Sequence, residues 1–217
     1  MREKQLDARL AAALALFPRV RVGADIGADH GYLTLALLEN DIAQRMWATD
    51  ISALSLKKAE RLMALNGCSS RVLFGVGDGF KPLGEKPEAA AVLGMGGVTI
   101  RNMLRTQREL FDGCALVLSA NTEMPSVRRA LQDIGYRIER EVMTEAAGRF
   151  YPVLLAAPGQ GERYSEKQLT LGPCLLAQPI TETYRRWLVK KKADWQAVRG
   201  ERGACLRRWI EEEMARD

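Results

Sequence analysis

The stretch Val22-Gly-Ala-Asp-Ile-Gly-Ala-Asp-His-Gly-Tyr32 decides the fold of this chain. An apolar, strand-like run leads into the pattern Asp25-x-Gly27-x-Asp29-x-Gly31, and a helical segment follows. Glycines at such a junction let the backbone turn sharply and approach a ligand closely, at the sheet edge where α/β folds bind cofactors. The stretch therefore predicts a strand, a ligand-binding loop and a helix of an α/β domain.

Short β-rich runs alternate with helical patterns after this stretch, which predicts a Rossmann-like, mostly parallel seven-stranded sheet with helices on both faces. The last two strands have only the turn Thr144–Arg149 between them, so we expect an antiparallel hairpin at one edge. The predicted strands lie at 20–25, 46–50, 72–76, 89–93, 115–119, 136–142 and 149–156, and the predicted helices at 31–39, 52–66, 98–110 and 124–134.

The residues after Ala157 differ in character. Pro158-Gly-Gln-Gly161 is typical of a linker, and no strand pattern follows it, so we divide the chain into an α/β domain at 1–158 and a C-terminal helical domain at 159–217. Apolar residues at helical spacing predict a long, coiled-coil-like helix or a helical hairpin there, interrupted at Gly200 and Gly203. This stripe comprises Tyr184, Leu188, Trp195, Val198, Cys205 and Trp209. Nucleobase stacking is one use for Trp187, Trp195 and Trp209, but helical spacing favours core packing.

Charge is distributed unevenly along the 217 residues. The net charge is +5 overall, yet residues 185–208 alone carry +7, which leaves a nearly neutral remainder. Such a segment predicts an anionic partner such as nucleic acid, while a solvated helix face remains an equal alternative. The basic residues expected to contact the partner are Arg185, Arg186, Lys190, Lys191, Lys192, Arg199 and Arg202.

Four cysteines lie far apart and the chain has one histidine, so we expect no metal site of the Cys/His type. Scattered, reduced thiols are typical of cytoplasmic proteins. No apolar run is long enough to span a bilayer. Leu10–Phe17 resembles a signal-peptide core, but the acids before it and the missing cleavage site favour a short amphipathic helix ending at Pro18.

Two classes of cofactor compete for the glycine-rich loop. A dinucleotide requires G-x-G-x-x-G with bare amides facing a pyrophosphate, whereas this loop carries Asp29, which would repel phosphate. S-adenosylmethionine carries a sulfonium and an ammonium, and Asp25 is placed to receive the ammonium. The loop residues Gly27, His30 and Gly31 complete this predicted site.

Acidic residues also follow the next two strands. Asp50, followed by Ile51, is placed to accept hydrogen bonds from ribose hydroxyls, and Asp78, between Gly77 and Gly79, to accept from an adenine amino group. Any one of these acids is more simply a turn or capping residue. Their recurrence at strand ends nevertheless favours an S-adenosylmethionine site.

After the fourth strand comes Gly94-Met95-Gly96-Gly97. An ordinary strand-to-helix turn rarely needs three glycines, so we interpret them as leaving space for a flat group beside the methyl donor.

The runs Asp25–Leu33, Gly77–Gly79, Gly94–Gly97 and Gly148-x-x-Tyr151 together resemble the bacterial tRNA (adenine(22)-N1)-methyltransferase family. The resemblance covers about residues 6–157 and continues at Leu171-Gly-Pro173. It implies a Rossmann-like catalytic domain, a C-terminal coiled-coil domain and methylation of an adenine N1 in tRNA. The family usually has glutamate in place of Asp50, and Gln-Pro-Asn where this chain has Ser119-Ala-Asn121.

Three residues are candidates for the catalytic site: Asn121 and Tyr151 to hold the target base, and Asp29 at the methyl end of the loop. A purely structural role remains an alternative for three residues: a helix N-cap for Asn121, an ordinary strand position for Tyr151 and a structural imidazole for His30. Two other functions also remain open: a small-molecule methyltransferase with a dimerising tail, and a non-catalytic RNA chaperone that binds S-adenosylmethionine.

Overall fold

Seven strands form one sheet, which hydrogen-bonds in the order β3-β2-β1-β4-β5-β7-β6. The structure is a computed structural model that describes residues 6–161 and 163–216. The first five strands are parallel, the seventh is antiparallel to the fifth, and the sixth is antiparallel to the seventh. The strands are β1 (Val20–Ile26), β2 (Ala43–Asp50), β3 (Val72–Val76), β4 (Ala89–Met95), β5 (Ala115–Ala120), β6 (Tyr136–Ala146) and β7 (Arg149–Pro158).

Ten α-helices and one short 3-10 helix (Ser69–Arg71) accompany the sheet in the described part of the chain, and none of these is long and apolar enough to cross a membrane. The helices are α1 (Ala8–Leu16), α2 (Tyr32–Glu39), α3 (Ala53–Leu65), α4 (Gly97–Thr106), α5 (Arg108–Phe111), α6 (Met124–Asp133), α7 (Glu166–Leu171), α8 (Pro173–Ala177), α9 (Glu182–Gln196) and α10 (Gly200–Met214). The short helix predicted before Pro18 is thus present as α1.

Helices cover both faces of the sheet, which confirms the predicted Rossmann-like class. One apolar core joins α1, α2 and α3 to the strands, and the other joins α4 and α6 to them. Residues 89–93 of β4 are all buried because this central strand is covered on both sides. Such strands consist of continuous apolar runs, as this one does.

The antiparallel edge hairpin is confirmed, but its strands extend further than the sequence predicts. The turn comprises only Ala147 and Gly148, with φ of 49° and 71°. Two successive residues with positive φ match the right-handed twist of a hairpin. Pairing therefore continues to Ala146 and Arg149.

The C-terminal segment forms the predicted helical hairpin, with α9 and α10 joined by residues 197–199. Gly200, whose φ is 74°, marks the interruption. The interruption predicted at Gly203 is wrong, because this residue lies inside α10. A β-carbon at Gly203 would collide with the carbonyl oxygen of Val198, so this glycine permits a close backbone approach.

A buried ion pair connects these helices to the sheet. Arg128 of α6 and Glu141 of β6 are at most 2% exposed, and Nε of the arginine donates to Oε1 of the glutamate at 2.7 Å. The guanidinium also donates to the carbonyl oxygen of Leu169 at the end of α7. The second carboxylate oxygen accepts from the amide of Cys174 at the start of α8 at 3.0 Å. Both charges are thus satisfied by helix ends.

Side chains of the C-terminal segment also bond to the backbone of β6, the edge strand. Tyr164 accepts from the amide of Ile138 at 3.0 Å, and the Cys174 thiol contacts the carbonyl oxygen of Ile138 at 3.7 Å. The amide of Gln178 donates to the carbonyl oxygen of Glu141 at 3.2 Å.

We predict that Arg128→Ala destabilises the protein by about 3–5 kcal/mol, because it leaves a buried carboxylate without its partner. Denaturant unfolding measures the loss. The matched control is Arg105→Ala, which breaks the exposed ion pair with Asp133 and should cost less than about 1 kcal/mol. Equal effects of the two substitutions would contradict the role of burial.

Candidate functional site

A cavity of about 750 Å³ opens at the carboxyl ends of β1, β2 and β4, beside the loop that follows β3. Four aspartates line it, and we call it the acidic cavity. Parallel strands all end at this edge, so residues distant in sequence meet there. The predicted cofactor residues that line it are Asp25, Gly27, Asp29, His30, Asp50, Ile51, Gly77, Asp78, Gly79, Gly94, Met95 and Gly96.

Two of the predicted glycines lie close against other segments of the chain. Gly31 lies outside the lining of the acidic cavity; it precedes α2 with φ of 77°, and a β-carbon there would lie 2.9 Å from that of Ala59. At Gly97 a β-carbon would collide with the carbonyl oxygens of Thr122 and Glu123. Gly97 therefore allows α4 to begin against the loop after β5, whereas Gly94 and Gly96 border the cavity as expected.

Asp25 is the buried carboxylate of the cavity, only 4% exposed. Burial raises the pKa of this carboxyl to about 6; hydrogen bonds from Thr34 act in the opposite direction, and the nearby charge of Asp50 adds to the rise. The Thr34 hydroxyl donates to Oδ2 of Asp25 at 2.8 Å. No ion pair to Asp25 occurs within residues 6–161 and 163–216. This position therefore favours a bound cation.

Backbone amides orient the carboxylate of Asp50. Its Oδ2 accepts from the amide of Asp29 at 3.1 Å, and its Oδ1 accepts from that of Ser52 at 2.8 Å. Each oxygen retains a lone pair for a further donor. The next residue, Ile51, is 79% exposed and presents an apolar side chain at the cavity.

Two side chains donate hydrogen bonds to the carboxylate of Asp78. Its Oδ2 accepts from Lys81 at 2.6 Å and from Nε2 of Gln107 at 3.2 Å. Gln107, which is 5% exposed, also accepts from the amide of Phe80 at 2.8 Å. The Thr49 hydroxyl donates to the carbonyl oxygen of Gly79, which ties this loop to β2.

Asn121 and Tyr151 do not line the acidic cavity. They lie on an adjoining opening of about 310 Å³ whose lining also includes Arg149, Lys190 and Lys191; we call it the basic cleft. The amide nitrogen of Asn121 donates to the carbonyl oxygen of Gly94 at 2.6 Å, and this bond connects the two openings.

The N-cap alternative for Asn121 is wrong. The cap of α6 is Glu123, which has φ of 54° and makes no side-chain capping bond to the described residues. Positive φ at a residue with a bulky side chain is strained. The Asn121 amide bonds to the neighbouring loop instead.

The third candidate catalytic residue, Asp29, lies in the acidic cavity, apart from the other two. Its carboxylate contacts Nδ1 of His30 at 2.7 Å, and Nε2 of this imidazole contacts the Lys58 ammonium at 3.2 Å. Both ring nitrogens thus have partners within the fold.

Arg9 also lines this site, although no motif in the sequence indicates it. It projects from α1 into the acidic cavity, and its guanidinium lies 5.3 Å from the centre of the Tyr151 ring. Its Nε is buried without a hydrogen-bond partner in the described part of the chain. Arg9 lies far in sequence from the other site residues, so no local sequence pattern connects it with them.

The chain matches the methyltransferase domain family over residues 6–154 and belongs to this family. It is 28% identical over 194 residues to the tRNA (adenine(22)-N(1))-methyltransferase of Bacillus subtilis strain 168, covering 86% of this chain and 82% of that protein.

Solved structures share the fold. Sp1610 from Streptococcus pneumoniae, in complex with S-adenosyl-L-methionine, has a TM-score of 0.89 and 22% identity, covering 97% of this chain and all of that one. TrmK from M. capricolum, in complex with S-adenosyl-homocysteine, has a TM-score of 0.80 and 18% identity, covering 96% of each chain.

We predict that Asp25→Asn raises the unfolding temperature at pH 8, because a neutral amide replaces a desolvated carboxylate and can still accept from Thr34. The folded pKa of about 6 exceeds the ordinary value of 3.8. The gain should therefore be full above pH 6 and disappear as the pH falls towards 4. Thermal unfolding between pH 4 and pH 8 tests this. Asp112→Asn, at an exposed loop position, should show no such trend.

Proposed function

We propose that this protein transfers a methyl group from S-adenosyl-L-methionine to N1 of an adenine in tRNA, at position 22 as in the name of the Bacillus subtilis relative. The observation that carries the proposal is the Asn121–Gly94 hydrogen bond, which fixes an amide side chain between an acidic cavity and a basic cleft. A cationic cofactor suits the first opening and a polyanion the second.

The residues of the acidic cavity fit S-adenosyl-L-methionine. Asp25, buried without a counterion among the described residues, would receive the ammonium, and Asp50, already oriented by two amides, would accept from the ribose hydroxyls. Asp78 would accept from the adenine amino group, with Ile51 against the purine. The loop glycines, together with Met95, would let the cofactor approach the backbone closely. When bound, the cofactor supplies an activated methyl group on a sulfonium.

Methylation at N1 requires no general base, because neutral adenine already carries a lone pair there. The protein contributes positioning and electrostatics. N1 lies on the pairing edge, so the base must be unpaired or flipped to reach the site. The ring becomes cationic during transfer. An acceptor facing its exocyclic amino group therefore stabilises the transition state more than the ground state.

Asn121 would provide that acceptor. Its amide nitrogen is occupied by the carbonyl oxygen of Gly94, so Oδ1 is the atom that would accept from the exocyclic amino group. Glycine at position 94 has φ of 78°, a conformation that L side chains rarely adopt. The Gly94 backbone thus orients the amide.

Tyr151 would stack on the target base or bond to it, and Arg9, over the Tyr151 ring, would keep that ring in position. Asp29 would lie at the methyl end of the cofactor. The two ring contacts of His30 support a structural role that fixes Asp29 and the loop.

Residues 1–158 would perform methyl transfer, and the basic helices of 159–217 would bind RNA phosphates. Several of these cations already have acidic neighbours: Arg186 pairs with Glu145 and Lys191 with Asp194. Lys190 and Arg202 are exposed. A protein that acts on tRNA would also be cytoplasmic.

The proposal is tested by methyl transfer from labelled cofactor into total tRNA, followed by nucleoside analysis. We expect label in 1-methyladenosine. Label in another nucleoside would contradict the proposal. Label only in small molecules would favour a small-molecule methyltransferase, and no transfer at all would favour a non-catalytic binding protein. In the same assay Asn121→Ala should slow single-turnover transfer with cofactor affinity nearly unchanged. Asn102→Ala, on the exposed side of α4, is its control.

We predict that replacing Lys190, Arg199 and Arg202 with Gln weakens tRNA binding and flattens its salt dependence. The log–log slope should fall by about one unit for each phosphate that the variant no longer neutralises. Arg21→Gln with Lys86→Gln is the control, since both residues are exposed near the amino ends of β1 and β4, away from the strand ends that form the site. Equal slopes for the wild type and the triple variant would refute phosphate binding by these helices.

A further inference from the structure

A second large cavity, of about 830 Å³, lies between the loop after β5, the edge hairpin and helices α9 and α10. We call it the tryptophan cavity, because Trp187, Trp195 and Trp209 all line it, together with Phe150. None of these indoles lines the acidic cavity.

The three tryptophans pack against an apolar core, as their helical spacing predicts, but part of each side chain remains accessible. All three are only half-buried. The Trp187 ring stacks on Tyr184, with ring centroids 5.6 Å apart and planes inclined by 16°. Tyr184 is 1% exposed and its hydroxyl donates to the carbonyl oxygen of Leu171. Trp187 is therefore a platform that Tyr184 supports on its buried side. Trp195, on the same helix α9, lines the same cavity and offers a second indole ring there.

The basic cleft joins this platform to the proposed target-base residues. Asn121, Phe150, Trp187 and Lys191 line both the cleft and the tryptophan cavity. The cleft contributes three cationic side chains and its lining includes no aspartate or glutamate within the described residues. Phosphate is thus favoured in the cleft, and a flat group that can stack on an indole is favoured beyond it.

We propose that the tryptophan cavity is a second nucleobase site, which holds an unpaired base next to the target adenine while the linking phosphate occupies the basic cleft. The inference rests on the proposed function and adds a subsite to it. Tryptophan stacks on any base, because every base presents a π-face. The exposed Arg202 at the cavity forms no ion pair with any described residue and suits a further phosphate.

Such a site addresses an energetic requirement of the reaction. Exposing N1 of a paired or stacked adenine costs stacking and pairing energy. A neighbouring base that stacks on indole rings offsets part of this cost. The site would therefore act on RNA affinity and leave cofactor affinity unchanged.

The test is a double-mutant cycle that combines an RNA variant with a protein variant. The substrate is a tRNA transcript carrying an abasic residue immediately 5′ or 3′ of the methylated adenine, and the protein variants are Trp195→Ala and Trp195→Phe. For one of the two abasic positions the wild type should lose about 5- to 100-fold in kcat/KM, as expected when one base no longer stacks on an aromatic ring. Trp195→Ala should lose a similar factor on intact RNA and little more on the abasic RNA, and Trp195→Phe should retain most activity.

The control is Trp47→Phe, because Trp47 lies in β2, far from α9, and its indole donates to Glu85. This variant should remain sensitive to the abasic substitution. Two results overturn the inference: wild-type kcat/KM within twofold on both abasic RNAs, or multiplicative losses when the abasic site and Trp195→Ala are combined. The first needs no protein variant, so misfolding cannot obscure it. A wild type that fails to methylate intact tRNA refutes the proposed function itself.

Discussion

The buried Arg128–Glu141 ion pair is the interaction on which the arrangement of the C-terminal segment depends. Desolvated charges are costly, and here the cost is offset because the two charges pair with each other, α7 ends at the guanidinium and α8 begins at the carboxylate. Gly172, between the two helices, has no side chain that would displace the carboxylate. Helices α9 and α10 follow from this anchored corner, so the ion pair also determines where the basic side chains lie relative to the strand ends.

The acidic cavity and the basic cleft lie side by side, and a neutral amide separates their opposite charges. Asp25 illustrates the cost of such a site, because its carboxylate is desolvated without a counterion in the described part of the chain and its pKa rises accordingly. Local instability of this kind is common where a ligand completes the structure. The position of Asp25 therefore suits a cationic ligand at a cost to the stability of the unliganded fold.

The sequence was sufficient for the class of sheet, the edge hairpin, and the aspartates and glycine-rich loops that line the acidic cavity, because each of those rests on a local pattern at strand ends. It was insufficient wherever distant segments meet. Nothing near Arg9 in the chain indicates Tyr151, and nothing near Gly203 indicates the carbonyl group of Val198. Helical spacing likewise predicts that tryptophans pack, but the hollow beside them depends on how α9 and α10 meet the sheet.

The hydrogen bonds from Tyr164, Cys174 and Gln178 to β6 have a consequence for solubility. An edge strand presents unpaired amide and carbonyl groups that can template pairing with another chain. In this protein those groups at Ile138 and Glu141 are occupied by side chains of the following segment. The C-terminal segment thus protects this edge strand from pairing with the sheet of another molecule. Without this segment, the amide and carbonyl groups of β6 would be free to form such aggregates.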